Sequence, residues 1–226
     1  IHQPKLVYDT LFEATWETLQ KFGKAKAIQM GMIAVLHTWG QNLSLHPHLH
    51  CIVPGGGVDK NGVWQNIRTD DNFVFPVKAL SKIFRAKFCE KIKEKEPIKY
   101  EQIRQGLWQK PWVVFAKKPF GSPKSVVEYL GRYTHKIAIS SHRIKNVDAQ
   151  NLTFDYKDYR QEGLKKQMTL THQEFIRRFS LHILPKGFVK IRHYGFLSST
   201  WKRQKLKLLQ LKLKVKVLGN REKKPF

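Results

Sequence analysis

Acidic residues are scarce: 17 Asp and Glu stand against 42 Lys and Arg in 226 residues, a formal net charge of +25. So one-sided a field points to an extended polyanion as partner, of which nucleic acid is the first candidate. Ribosomal and simple RNA-binding proteins share this balance, so charge suggests a partner without selecting an activity. Cysteine is nearly missing too. Cys51 and Cys89 are the only two, in unrelated contexts, which argues against a disulfide framework or a cysteine zinc site and fits a reducing cytoplasm. No apolar run approaches membrane-spanning length, no signal peptide opens the chain, and no internal repeat is visible. The chain begins at Ile1 rather than Met, which suggests an excised or truncated piece. With 41% hydrophobic residues, the length suits one substantial domain, or one with a modest appendage, and is ample for a buried core.

Histidine, by contrast, is concentrated. Met32 to Val58 reads MIAVLHTWGQNLSLHPHLHCIVPGGGV, two apolar runs ended by the turn chemistry of Pro54-Gly55-Gly56-Gly57. In a strand, His46, His48 and His50 project from one face, and Leu49, Cys51 and Val53 from the other. An antiparallel hairpin across the loop Asn42 to Leu45, with Gly40 opposite Pro47, sets His37 opposite His50 and Trp39 opposite His48. His37 then joins His48 and His50 around one ion, with Gln41 and His46 as fallback ligands, and a one-residue slip removes it. Neutral imidazole binds Zn, Mn, Fe, Ni and Cu. The plainer reading of a His-x-His pair is a surface pair on an edge strand.

About eighty residues on, Ser122-Pro123 carries a helix start signal, Ser as N-cap and Pro at the first helical position. Tyr129 and Tyr133 follow, four apart and so on one face. A tyrosine pair at this spacing is ordinarily part of an amphipathic stripe. Here Arg132, His135 and Lys136 surround the second tyrosine with positive charge. Gly131 sits inside the helix at a cost of about 1 kcal/mol relative to Ala, as if something must approach closely.

These pieces resemble a known family. LHTWGQ (36–41), HPHLH (46–50), PGGG (54–57), YLGRYTHKIAIS (129–140) and IRHYGFLS (191–198) run in the order of the two-tyrosine transposases of rolling-circle insertion sequences, within the HUH (His-hydrophobe-His) endonucleases. The resemblance implies His48 and His50 as paired metal ligands and Tyr129 and Tyr133 as nucleophiles. It places a ligand-capable residue where His37 stands. It further implies a divalent metal, Mg or Mn, and a bacterial, nucleoid-associated cytoplasmic protein with no membrane partner. The substrate would be single-stranded DNA at insertion-sequence ends, cut to leave a 5′-phosphotyrosine link and a 3′ hydroxyl. One departure stands out: members usually begin with a cysteine-rich zinc-binding segment, and nothing here matches it. A rolling-circle replication initiator or relaxase would use the same chemistry. A basic nucleic-acid-binding module with a structural metal, or none, would use none of it.

The expected class is α+β, an HUH-endonuclease-like antiparallel sheet flanked by helices with a basic C-terminal extension. Its parts are an N-terminal helical segment (1–27), a catalytic core with the tyrosine helix (28–140) and a C-terminal α+β extension (141–226). Apolar spacing predicts helices over Leu6 to Lys24 and Lys78 to Lys95, the second with a basic face that could steer DNA. Asn61-Gly62 marks a hairpin. Trp112 to Ala116, Ile137 to Ile139, Ile144 to Val147, Leu152 to Tyr156 and Phe188 to Leu197 read as strands, the last with Lys190, Arg192, His193 and Tyr194 toward DNA. Thr171 and Glu174 form a capping box for a helix to Leu181. Lys202 to Lys216 fits strand or helix, with Leu206, Leu209, Leu213 and Val217 at helical spacing. Trp39, Trp64 and Tyr194 are candidates for base stacking.

Overall fold

The computed structural model describes residues 3–67, 74–117, 119–134 and 137–215. In order these form α1 (Pro4–Ala25), β1 (Gly31–Trp39), β2 (Leu45–Ile52), β3 (Gly56–Val58), β4 (Trp64–Asn66), α2 (Val77–Lys95), α3 (Pro97–Gln109), α4 (Pro123–Thr134), β5 (Ile144–Val147), β6 (Asn151–Asp158), β7 (Leu164–Thr171), α5 (His172–Ser180), β8 (Ile191–Gly195) and α6 (Ser199–Lys212). The strands make three sheets, β2-β1-β8, β3-β4 and β5-β6-β7, the last two wholly antiparallel. The class is α+β. Among the described residues no helix is long and apolar enough to cross a membrane. His135, Lys136, Lys216 and Val217 lie outside the described residues.

The chain divides into two compact units. One comprises Asp9–Ala34, Cys51–Gly121 and Arg192–Phe226. Here α1 buries Leu11, Phe12, Ala14 and Leu19, and α2 buries Phe88, Cys89 and Ile92, each set at helical spacing. Part of the basic face expected on α2 is spent on α1: Lys91 pairs with Glu17 and Glu13, Lys95 with Glu13, and Lys87 with Glu17. These lysines brace two helices rather than facing a partner. α3 had no counterpart in the sequence reading, although Pro97 stands at its start as a first-turn proline should.

Trp112 to Ala116 is not a strand. Its tryptophan packs on Phe84 and Phe88 of α2, ring centroids 5.2 and 4.9 Å away, and its indole N–H donates to the Leu107 carbonyl at 3.0 Å. An aromatic anchor on a helix leaves no neighbouring strand to pair with. The hairpin at Asn61-Gly62 is present, with Gly62 at φ +71 and the Asp59 carboxylate accepting from the N–H groups of Asn61 and Val63, both at 2.9 Å. Gly56 and Gly57 are glycines for a steric reason: a Cβ on either would overlap a main-chain oxygen, of Gln65 or Gln29. The alternation at the C-terminal end resolves as helix. Ser198 caps α6 by accepting from the Trp201 N–H at 3.4 Å, and Leu209 is buried with Val58 and Phe196.

The other unit comprises Ile1–Tyr8, Val35–His50 and Ser122–Ile191. Its core is Leu43, Ala138, Ile139, Leu152 and Phe154, surrounded by Trp39, Ile144, Tyr156, Met168, Leu170 and Phe175. Ile137 to Ile139 is not a strand; Ala138 and Ile139 serve this core instead. β7, a strand that the sequence pattern does not announce, pairs with β6 from Asn151↔Thr171 to Asp158↔Leu164. Thr171 caps α5 by accepting from the Glu174 N–H at 3.3 Å, but the reciprocal half of the capping box is absent. The Glu174 carboxylate turns to Arg177 and Arg178 instead, where two guanidinium groups outbid one amide. β8 is shorter than expected, starting at Ile191.

Candidate metal and tyrosine site

The histidine hairpin closes in a tighter turn than a pairing of Gly40 with Pro47 requires. The Gly40 N–H donates to the Ser44 carbonyl at 2.9 Å and the Leu43 N–H to the Gly40 carbonyl at 3.1 Å, so Gly40 faces Ser44 and not Pro47. The reason is Leu43, which takes a left-handed φ of +60 and is fully buried; seating its side chain in the core is what offsets the strain. Above this turn the three histidines converge. His37, His48 and His50 each offer a ring nitrogen, all within 4.8 Å of one another. His37 is 3% exposed and the other two are half-buried.

Hydrogen bonds assign the tautomers. A carbonyl accepts only, so His37 Nε2, 2.9 Å from the Tyr133 carbonyl, carries a proton, and in the neutral ring Nδ1 has the lone pair. His48 Nδ1 likewise donates to the His46 carbonyl at 2.7 Å, leaving Nε2 as acceptor. His50 Nε2 stands 3.2 Å from His48 Nε2, so it donates to that lone pair, and His50 Nδ1 accepts from the Tyr129 hydroxyl at 3.3 Å. A chain of protons therefore runs from Tyr129 through His50 and His48 to the His46 carbonyl. His46 itself is exposed, with its ring 5.1 Å from that of His48.

The two tyrosines come from α4. Ser122 starts this helix by accepting from the Ser125 N–H at 3.3 Å. One helical turn sets the phenol rings 4.4 Å apart, and the Tyr133 ring lies 4.0 Å from His50 and 5.6 Å from His37. All five side chains thus meet in one place. Gly131 does not belong to that place. At about 100° per residue it lies on the far side of the helix from both tyrosines, and a Cβ there would meet nothing within 4 Å. Arg132 is largely exposed, 3.9 Å from Glu128.

Three supporting residues had no sequence signal, being more than 100 positions from what they hold. The successive carbonyls of Gln41, Asn42 and Leu43, in the turn of the histidine hairpin, accept from Arg143, Arg178 and His182. Burial pushes the His182 imidazole pKa down, which keeps that ring neutral with Nε2–H toward Leu43. The expected base-stacking aromatics are occupied otherwise. Trp39 stacks on His37 at 4.6 Å, Trp64 packs on Phe196 at 5.5 Å, and Tyr194 stacks on Trp16 at 5.2 Å. Arg192 binds Asp9 and covers the Phe12 ring.

Comparison with known proteins agrees with this geometry in kind. A family profile described as Putative transposase matches residues 31–205. "Putative transposase y4qJ" of Sinorhizobium fredii (strain NBRC 101917 / NGR234) is 43% identical over 220 residues, 89% of this chain and 55% of the relative. "Transposase for insertion sequence element IS801" of Pseudomonas savastanoi pv. phaseolicola is 28% identical over 211 residues, 84% of this chain and 49% of the relative. The chain spans about half the length of the curated relatives it matches. No solved structure gives a significant match. The matched span takes in all three histidines and both tyrosines, and the chain belongs to this transposase family.

Proposed function

We propose that this chain carries the catalytic centre of a DNA transposase of the two-tyrosine HUH type. It nicks single-stranded DNA at insertion-sequence ends, with Tyr129 and Tyr133 as nucleophiles and His37, His48 and His50 as metal ligands. The observation that carries this reading is the Tyr129 hydroxyl hydrogen-bonded to His50 inside a three-histidine cluster. A packing stripe has no need of such a neighbour.

The donor set fits a divalent ion. His37 Nδ1 and His48 Nε2 already have lone pairs, with their other nitrogens anchored on the carbonyls of Tyr133 and His46. Such carbonyl anchors fix tautomer and ring orientation in metal-binding histidines. Of Mg and Mn, three imidazoles suit Mn, because Mg prefers oxygen ligands. Bound there, the ion would supply Lewis-acid polarisation of a phosphodiester and orient it.

The protein's own groups handle the proton and the attack. Were His50 Nε2 to serve as a ligand, the neutral ring would carry its proton on Nδ1 and would donate to the Tyr129 oxygen. A donor at that oxygen favours the phenolate over the phenol, whose unperturbed pKa is about 10. The phenolate forms a bond to phosphorus and the bond to the 3′ oxygen breaks, leaving a 5′-phosphotyrosine and a 3′ hydroxyl once that oxygen takes a proton. The phosphodiester energy is kept in the protein link, so rejoining requires no ATP. Tyr133, one turn away, can cut a second strand while the first end is held. The chain's charge of +25 supplies attraction to the DNA backbone. Incubating the full chain with labelled single-stranded element ends and Mn, followed by denaturing electrophoresis, tests the reading. A label that migrates with the protein supports it; a basic binding module leaves the label free.

A further inference from the structure

Arg143 is half-buried, and each of its hydrogen bonds goes to a main-chain carbonyl. Nε donates to Asp155 at 2.8 Å, Nη1 to Ala138 at 3.4 Å, and Nη2 to Gln41. The guanidinium carbon lies 5.7 Å from the Phe154 ring centroid, in the core of this unit. Burial pushes the guanidinium below its ordinary pKa. A cation drawn out of water onto neutral acceptors is costly to keep, so its value lies in what the fork of donors joins.

Gln41 belongs to the turn between the two histidine strands, and Ala138 lies four residues beyond the end of α4. Arg143 therefore hydrogen-bonds both the histidine turn and the segment that follows the tyrosine helix. Arg178 and His182 hold the next two carbonyls of the same turn, Asn42 at 3.3 Å and Leu43 at 3.2 Å. Thr38, beside His37, is bonded to the other nitrogen of His182 at 3.3 Å.

We propose that Arg143 is a positioning residue that sets the tyrosine helix against the histidine hairpin, with Arg178 and His182 fixing the turn from the same side. This rests on the reading of Tyr129 and Tyr133 as nucleophiles. Lysine keeps the charge but cannot reach three carbonyls in one plane. A misplacement of about 1 Å between reacting groups costs on the order of 100-fold in rate.

The test uses the full chain with Arg143→Lys and Arg143→Ala, and Arg178→Lys for comparison. With a single-stranded oligonucleotide and Mn, Arg143→Lys is expected to form covalent adduct about 100-fold more slowly at saturating DNA, with the half-saturating DNA concentration unchanged. Millimolar guanidinium restores part of the rate in Arg143→Ala. A second readout needs no turnover: 3-fluorotyrosine is incorporated, the Tyr129 and Tyr133 fluorine signals are assigned by Tyr→Phe, and Mn is titrated in. The wild type loses both signals to paramagnetic broadening, and Arg143→Lys retains at least one. A wild-type adduct rate per folded Arg143→Lys molecule, or wild-type broadening in that variant, overturns the proposal. If the wild type itself forms no adduct, the functional reading falls, and the fluorine broadening alone decides for or against Arg143.

Discussion

The ring of His37 donates from Nε2 to the main-chain carbonyl of Tyr133 at 2.9 Å, across 96 residues of sequence. A candidate ligand therefore holds the backbone of a candidate nucleophile. Replacing His37 by Ala removes a buried ring and leaves that carbonyl without its donor, for a loss of about 2 to 3 kcal/mol in stability. It also removes one metal nitrogen. Calorimetric titration with Mn is expected to show a much weaker site in His37→Ala and an unchanged one in His46→Ala. The opposite order would move the third ligand to the exposed side of the hairpin.

The basic surface is not uniform, and salt dependence reads the difference. Lys87 and Lys91 are paired with Glu17, whereas Arg203, Lys205 and Lys207 of α6 are exposed, and among the described residues no ion pair engages them. Changing these three to Gln is expected to reduce the slope of log Kobs against log salt by about 2 for single-stranded DNA, at roughly 0.7 per phosphate contact. Lys91→Gln leaves the slope alone and lowers stability by about 1 kcal/mol. Equal slopes in the two variants would show that α6 does not meet the DNA.

Much of this was legible in the sequence because it depends on local rules. Strand alternation put His46, His48 and His50 on one side, the Ser122-Pro123 signal started α4, and four-residue spacing brought Tyr129 beside Tyr133. The rest depends on tertiary placement. Leu43 reached the core only by adopting a left-handed backbone, which tightened the hairpin turn; no local pattern announces that choice. Arg143 carries no local signal, because the turn carbonyl it holds, that of Gln41, is 102 residues away. Trp112 looked like the start of a strand because an extended apolar run reads alike whether it pairs with a strand or lies on a helix.

Acid stability reports on α5, which carries Arg178 to the hairpin turn. Arg177 and then Arg178 hold the Glu174 carboxyl at a pKa of about 2. Its folded pKa is depressed, so its contribution is present above the unfolded value of about 4.3 and is lost as pH falls toward 2. Chemical denaturation of wild type and Glu174→Gln should differ at pH 6 and converge near pH 2. A difference that is the same at both would mean that the carboxylate is not held by these arginines.

The tyrosines differ in their partners: the Tyr129 hydroxyl meets His50 Nδ1 at 3.3 Å, while Tyr133 lies against the His50 ring at 4.0 Å. Each single Tyr→Phe variant is expected to form adduct at a reduced yield, and transposition, which needs two linked cleavages, to fail in both. A single variant that transposes normally would make its tyrosine structural.

The central claim is that a tyrosine of α4 attacks DNA at the three-histidine site, and covalent capture of a labelled single strand tests it most directly. The wild-type chain with Mn should give a label that survives denaturation and maps by peptide mass to Tyr129 or Tyr133. The label should vanish in chelator and in the double variant Tyr129→Phe, Tyr133→Phe. An adduct formed by that double variant, or one undiminished in chelator, would contradict the account.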